Sequence, residues 1–151
     1  MNSYSAFDGD LVRPLGFVTL YAAYAEQEIC ELVRLLCDMD DLPEKWFRKS
    51  VGWKLKTVVG KLDRVQAGAI PDLIVAVSDA RHLFNQRNDL IHGLLFSGGR
   101  LVSLDPDVPD QRVTPDQVAA LADALFDCKG RLNVYRHKQL IPALATTPSG
   151  A

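Results

Sequence analysis

Arg87, Asn88 and His92 set polar, chemically capable groups in a stretch, Arg87-Asn88-Asp89-Leu90-Ile91-His92-Gly93, whose surroundings carry the pattern of a buried helix. A guanidinium makes paired hydrogen bonds to a phosphate or carboxylate and stabilises negative charge that develops there. An imidazole titrates close to neutral pH and moves protons as base or acid, and a neighbouring amide fixes its tautomer or touches a sugar hydroxyl. These groups together suit proton transfer at a phosphate, and they call for no metal or other cofactor.

Helical geometry constrains where they point. At about 100° per residue, Leu73, Val77, Ala80, Phe84 and Ile91 form one apolar stripe with Leu83, Leu90 and Leu94 at its edge, and Arg87 falls inside it. An unpartnered buried guanidinium is costly, so Arg87 must meet a carboxylate, a phosphate or water in an interface. Asn88 and His92 are four apart and share the neighbouring face. Arg87 and His92 lie about 140° apart around the helix and about 7.5 Å along it, so one chain does not bring both to one phosphate. A second copy, crossing near the helix end, does so through a two-fold contact.

The helix that carries them opens at Pro71-Asp72 and reaches His92, with Gly93 expected as a left-handed terminator. Upstream, a first helix is expected from about Pro14 to Met39, with Phe17, Tyr21, Tyr24, Leu32, Leu35 and Leu36 on one side. Glu28 sits in that apolar stripe and needs a partner, for which Arg87 is a candidate, whereas Glu26 points away. Trp46 to about Gln66 reads as a second helical region, broken near Gly52. Downstream, Leu94-Leu95-Phe96 and Leu101-Val102-Ser103-Leu104 flank a Gly-Gly turn as a short hairpin, which must lean on helices to be stable. Thr114-Pro115-Asp116-Gln117 begins a final helix with core positions Val118, Leu121, Ala122, Leu125, Leu132 and Tyr135. The fold class is therefore all-α, a four- to five-helix up-and-down bundle with a short β-hairpin after the third main helix.

A chain of 151 residues with 48% hydrophobic residues and 8 prolines suits one domain over 1–151, with the tail from about 145 frayed. The net charge of −2 hides a local asymmetry. Residues 1–47 carry nine acids against three bases, and residues 48–66 carry six bases against Asp63 alone. Lys49, Lys54, Lys56, Lys61 and Arg64 in that segment are candidate contacts to a phosphate backbone, with Trp46 and Trp53 beside them able to stack on bases. The alternative is an ordinary solvated face. Cys30, Cys37 and Cys128 lack zinc-ligand spacing and read as reduced core thiols. No basic-then-apolar leader and no apolar run of about 18 residues is present, so no membrane association and a cytoplasmic location are expected.

Arg87-Asn88-x-x-x-His92, ending a helix in a small helical chain, resembles the HEPN superfamily, whose motif is Arg, four to six residues, then His, often with Asn, Asp or His beside the Arg. Gly93 and the hairpin after it are similar to bacterial members that carry RNxxxHG. The resemblance implies a homodimeric, metal-independent endoribonuclease with two motifs facing each other across the interface, in which Arg87, His92 and Asn88 act on RNA. It also implies a setting in defence or in a toxin–antitoxin pair, with an antitoxin or other protein as partner. Other members have lost catalysis and serve as adaptors. Three functions therefore stand side by side: a ribonuclease, a non-catalytic interaction module in which Arg87 pairs with Glu28, and an RNA-binding protein without turnover. For the neighbouring polar groups the default readings are structural: His92 as a helix-end cation, Arg81 and His82 as solvated surface, and His137 between Arg136 and Lys138 as a basic helix end.

Overall fold

The computed structural model describes residues 6–96 and 99–146. The chain forms α1 (Ala6–Leu36), α2 (Glu44–Phe47), α3 (Val51–Leu62), a 3-10 turn (Ala67–Ala69), α4 (Pro71–His92), β1 (Leu94–Phe96), β2 (Arg100–Val102), β3 (Gln111–Arg112), α5 (Pro115–Tyr135), a π turn (Arg136–Leu140) and α6 (Ile141–Thr146). This is the expected all-α bundle with a short hairpin after its third main helix. Among the described residues, no helix is long and apolar enough to cross a membrane.

The bounds follow local chemistry. α1 extends eight residues further upstream than Pro14, which lies inside the helix rather than at its first position. Its other end is a left-handed cap: Asp38 has φ 53°, its N–H donates to the Leu35 carbonyl at 3.2 Å and the Met39 N–H donates to the Arg34 carbonyl at 3.0 Å. The expected break near Gly52 falls at 48–50, where the Ser50 hydroxyl accepts the Trp53 N–H and starts α3. α5 starts on a full capping box between Thr114 and Gln117.

α1 and α5 lie side by side and parallel. The Tyr21 ring meets Phe126 with centroids 5.0 Å apart, and Glu28, seven residues on, meets Asn133, also seven on, at 3.2 Å. α4 runs antiparallel to α5, as the pairs Asp79–Arg131 at 2.9 Å and Leu73–Gln139 at 3.1 Å require. The core between them contains Val18, Ala22, Ala25, Ile29 and Leu32 of α1, Leu73, Val77, Ala80 and Phe84 of α4, and Leu125, Cys128 and Leu132 of α5. Cys30, Cys37 and Cys128 are free thiols. Burial pushes the Cys128 thiol up to about 11 and also raises Cys30, although the Lys54 ammonium beside Cys30 opposes it.

The sheet has order β1-β2-β3, all antiparallel, with Leu94 opposite Val102 and Arg100 opposite Arg112. β3 closes the polar, proline-containing segment 105–112, whose composition by itself reads as a loop. Gly99 takes φ 79°, as the Gly-Gly turn requires; Ser97 and Gly98 lie outside the described residues, as do residues 147–151 of the tail.

Candidate functional site

α4 delivers the motif to one end of the bundle. Pro71 stands at its first turn with Asp72 behind it, and Gln139 clamps that end by accepting the Leu73 N–H and donating to the Asp72 carboxylate at 2.7 Å. Twenty residues on, the Gly93 N–H donates to the Asp89 carbonyl at 3.0 Å. Gly93 is extended, with φ −70° and ψ 171°, and not left-handed. Its glycine character has a different cause: a Cβ there would collide with the Asp89 carbonyl oxygen and lie 2.9 Å from Leu101 Cδ1 and 3.1 Å from the Val102 carbonyl oxygen. The helix end is therefore pressed against β2.

Arg87 does not pair with Glu28. Glu28 is taken by α5 and the π turn: its Oε2 lies 3.0 Å from Arg136 Nη2 and its Oε1 accepts from the Asn133 amide. The parallel packing of α1 on α5 puts Arg136 there, and Arg87 sits toward the opposite end of the bundle. Its guanidinium is half-buried, with Nη1 donating to Asn88 Oδ1 at 2.8 Å and the carbon centre 5.9 Å from the Phe84 ring centroid. Its Nε is buried with no acceptor. Among the described residues, no carboxylate lies within ion-pair distance of Arg87.

His92 is exposed in the last turn, and Asn88, one turn earlier, is half-buried. Ile91, expected in the core stripe, is 39% exposed, while Leu90 is buried in its place. The buried stripe of α4 therefore ends on Leu90, which shares a cleft with Val118 and Leu121 of α5, and Ile91 lies on a different face. Arg87 and Asn88 are brought together; His92 stays apart from Arg87, as the helical spacing demands.

The basic segment divides. Lys54 is not a nucleic-acid contact: its side chain is 3% exposed, and its ammonium lies 3.3 Å from Glu26 and 2.9 Å from the Phe47 carbonyl oxygen. Glu26 accordingly points toward α3 and not away from the protein. Lys49, Lys56 and Arg64 are exposed and Lys61 is half-buried. Lys49 lies 5.6 Å over the Trp53 ring, and Trp53 meets Trp46 edge-on at 5.4 Å. Trp46 packs against the core. Two groups escaped the sequence reading. Arg136, grouped there with a basic helix end, is an interior partner, and its only signal is an acid in the stripe of a distant helix. Arg81, assigned there to solvated surface, lines a cleft between α3 and α4.

No protein-family model, curated protein or solved structure matches this chain.

Proposed function

We propose that this chain is a HEPN-type, metal-independent endoribonuclease that works as a homodimer, with Arg87, Asn88 and His92 as its catalytic residues. One observation carries the proposal. The fold does not use up the charge of Arg87, because the carboxylate that would have made it a structural ion pair is already bound to Arg136. What remains is a guanidinium held by an amide and a ring, on a helix whose last turn presents an exposed histidine.

In this mechanism His92 removes the proton from a ribose 2′-OH, and the 2′-oxygen attacks the adjacent phosphorus. Arg87, released from Asn88, forms a fork to the phosphoryl oxygens and stabilises the charge that builds on them. The bond from phosphorus to the 5′-oxygen breaks, and that oxygen takes up the proton that His92 removed. The products are a 2′,3′-cyclic phosphate and a 5′-hydroxyl. Two copies meeting at their α4 ends cover Ile91 and bring Arg87 of one to His92 of the other. Lys49, Lys56, Lys61 and Arg64 contact the flanking backbone. A protein with this activity fits a toxin held by an antitoxin, or a defence component. The non-catalytic reading loses its anchor, since it rested on Arg87 pairing with Glu28.

The test is cleavage of RNA in excess chelator. Wild type yields 2′,3′-cyclic phosphate ends, and His92→Ala loses about a hundredfold or more of the rate with an unchanged circular dichroism spectrum. Equal cutting by the two proteins refutes the assignment.

A further inference from the structure

We propose that the cleft between α3 and α4 is a base-binding subsite, which receives one unpaired nucleotide of the RNA a few positions from the bond cut at His92. This rests on the ribonuclease reading and adds to it a place where sequence is read. The cleft has a volume of about 540 Å³, within the range of small-molecule pockets. Val59 and Ile74 form apolar walls and are each 37% exposed. Asp63, Gln66, Ser78 and Arg81 add donors and acceptors to a lining that is otherwise apolar.

That combination matches an unstacked base: a flat apolar ring between aliphatic walls, with polar edges facing a polar rim. Arg81 is exposed and makes no ion pair among the described residues, so its guanidinium is available to the nucleotide's phosphate. Lys56, exposed and one turn before Val59 on the same side of α3, supplies a second cation. Asp63 adds selectivity. A carboxylate accepts from the exocyclic amino group of a base such as cytosine, and at the same ring position uracil carries a carbonyl oxygen that cannot donate.

The cleft also connects to the motif. Ser78, Arg81, Asn85, Asn88 and His92 follow one another at spacings of three, four, three and four residues, so they lie along one face of α4. All are exposed except half-buried Asn88. Arg81 and His92 are eleven residues apart, about 17 Å along the axis, a span that a few nucleotides of extended strand cover. A strand on this polar stripe has one end at the α3/α4 cleft and its reacting phosphate at His92.

The experiment uses the full-length protein, an unstructured 20-nucleotide RNA and the dinucleotide cytidylyl-adenosine, which is too short to reach the cleft. Arg81→Ala removes the phosphate contact, and Ile74→Trp fills the cleft. Each is expected to raise KM for the 20-mer about tenfold with kcat little changed, and to leave dinucleotide turnover as in wild type. Replacing a cytosine by uracil, or by an abasic site, at one position near the cut bond reproduces the loss in wild type but adds nothing in Ile74→Trp. Variants that cut the 20-mer as wild type does overturn the subsite, as does equal loss on both substrates. A wild-type protein that cuts neither substrate removes the ribonuclease reading, and the subsite with it.

Discussion

Arg136 and Arg87 each carry a buried guanidinium Nε that no acceptor reaches, but the two ends of the bundle treat their charge differently. Arg136 lies 3.0 Å from Glu28 and 3.9 Å from Glu31, and the Arg136 and Glu28 side chains are 11% and 18% exposed. Arg87 has an amide and the face of a ring. The cause is the packing around each. Where α1 lies along α5, an acid in the apolar stripe of one helix meets a base at the end of the other. Near the end of α4 no carboxylate of the described residues comes within ion-pair distance of Arg87, and Ile91, on a face that α5 does not bury, is left exposed. The first arginine is committed to holding the fold, and the second retains charge that a ligand can use.

Three substitutions probe that contrast. Arg136→Ala should have the largest effect, about 3–5 kcal/mol in a urea melt, because it leaves the Glu28 carboxylate largely buried with only an amide for a partner. A variant as stable as wild type would erase the distinction between the two arginines. Gly93→Ala should cost about 1–3 kcal/mol, since the added methyl group meets backbone on both sides, and hydrogen exchange should quicken first in α4's last turn and β2. Arg87→Ala should cost least, about 1 kcal/mol or below, the worth of a half-exposed cation beside the buried Phe84 ring.

Much of this architecture was legible in the sequence because it is local. Pro71, Gly93 and the Thr114–Gln117 capping box mark helix ends by chemistry that acts within a few residues. Other features depend on neighbours that a single helix's pattern does not show. Glu26 reads as solvent-facing until α3 brings Lys54 to it. Glu28 reads as a partner for Arg87 until the parallel register of α1 on α5 delivers Arg136. Ile91 has the phase of a core residue, but phase does not tell that α5 covers the face of Leu90 in the last turns. Gly93 was recognisable as a required glycine, though the reason is contact with β2 and not a positive φ. For the site itself, the face shared by Asn88 and His92 followed from spacing alone, whereas Arg81 and its cleft required knowing that α3 packs beside α4.

The claim that Arg87 is held for chemistry is tested most directly by Arg87→Ala in paired measurements: RNA cleavage in chelator and a urea melt on the same preparation. The expected result is a cleavage rate lower by about a hundredfold or more with stability within about 1 kcal/mol of wild type. Undiminished cleavage, or a loss of stability as large as that of Arg136→Ala, would contradict it.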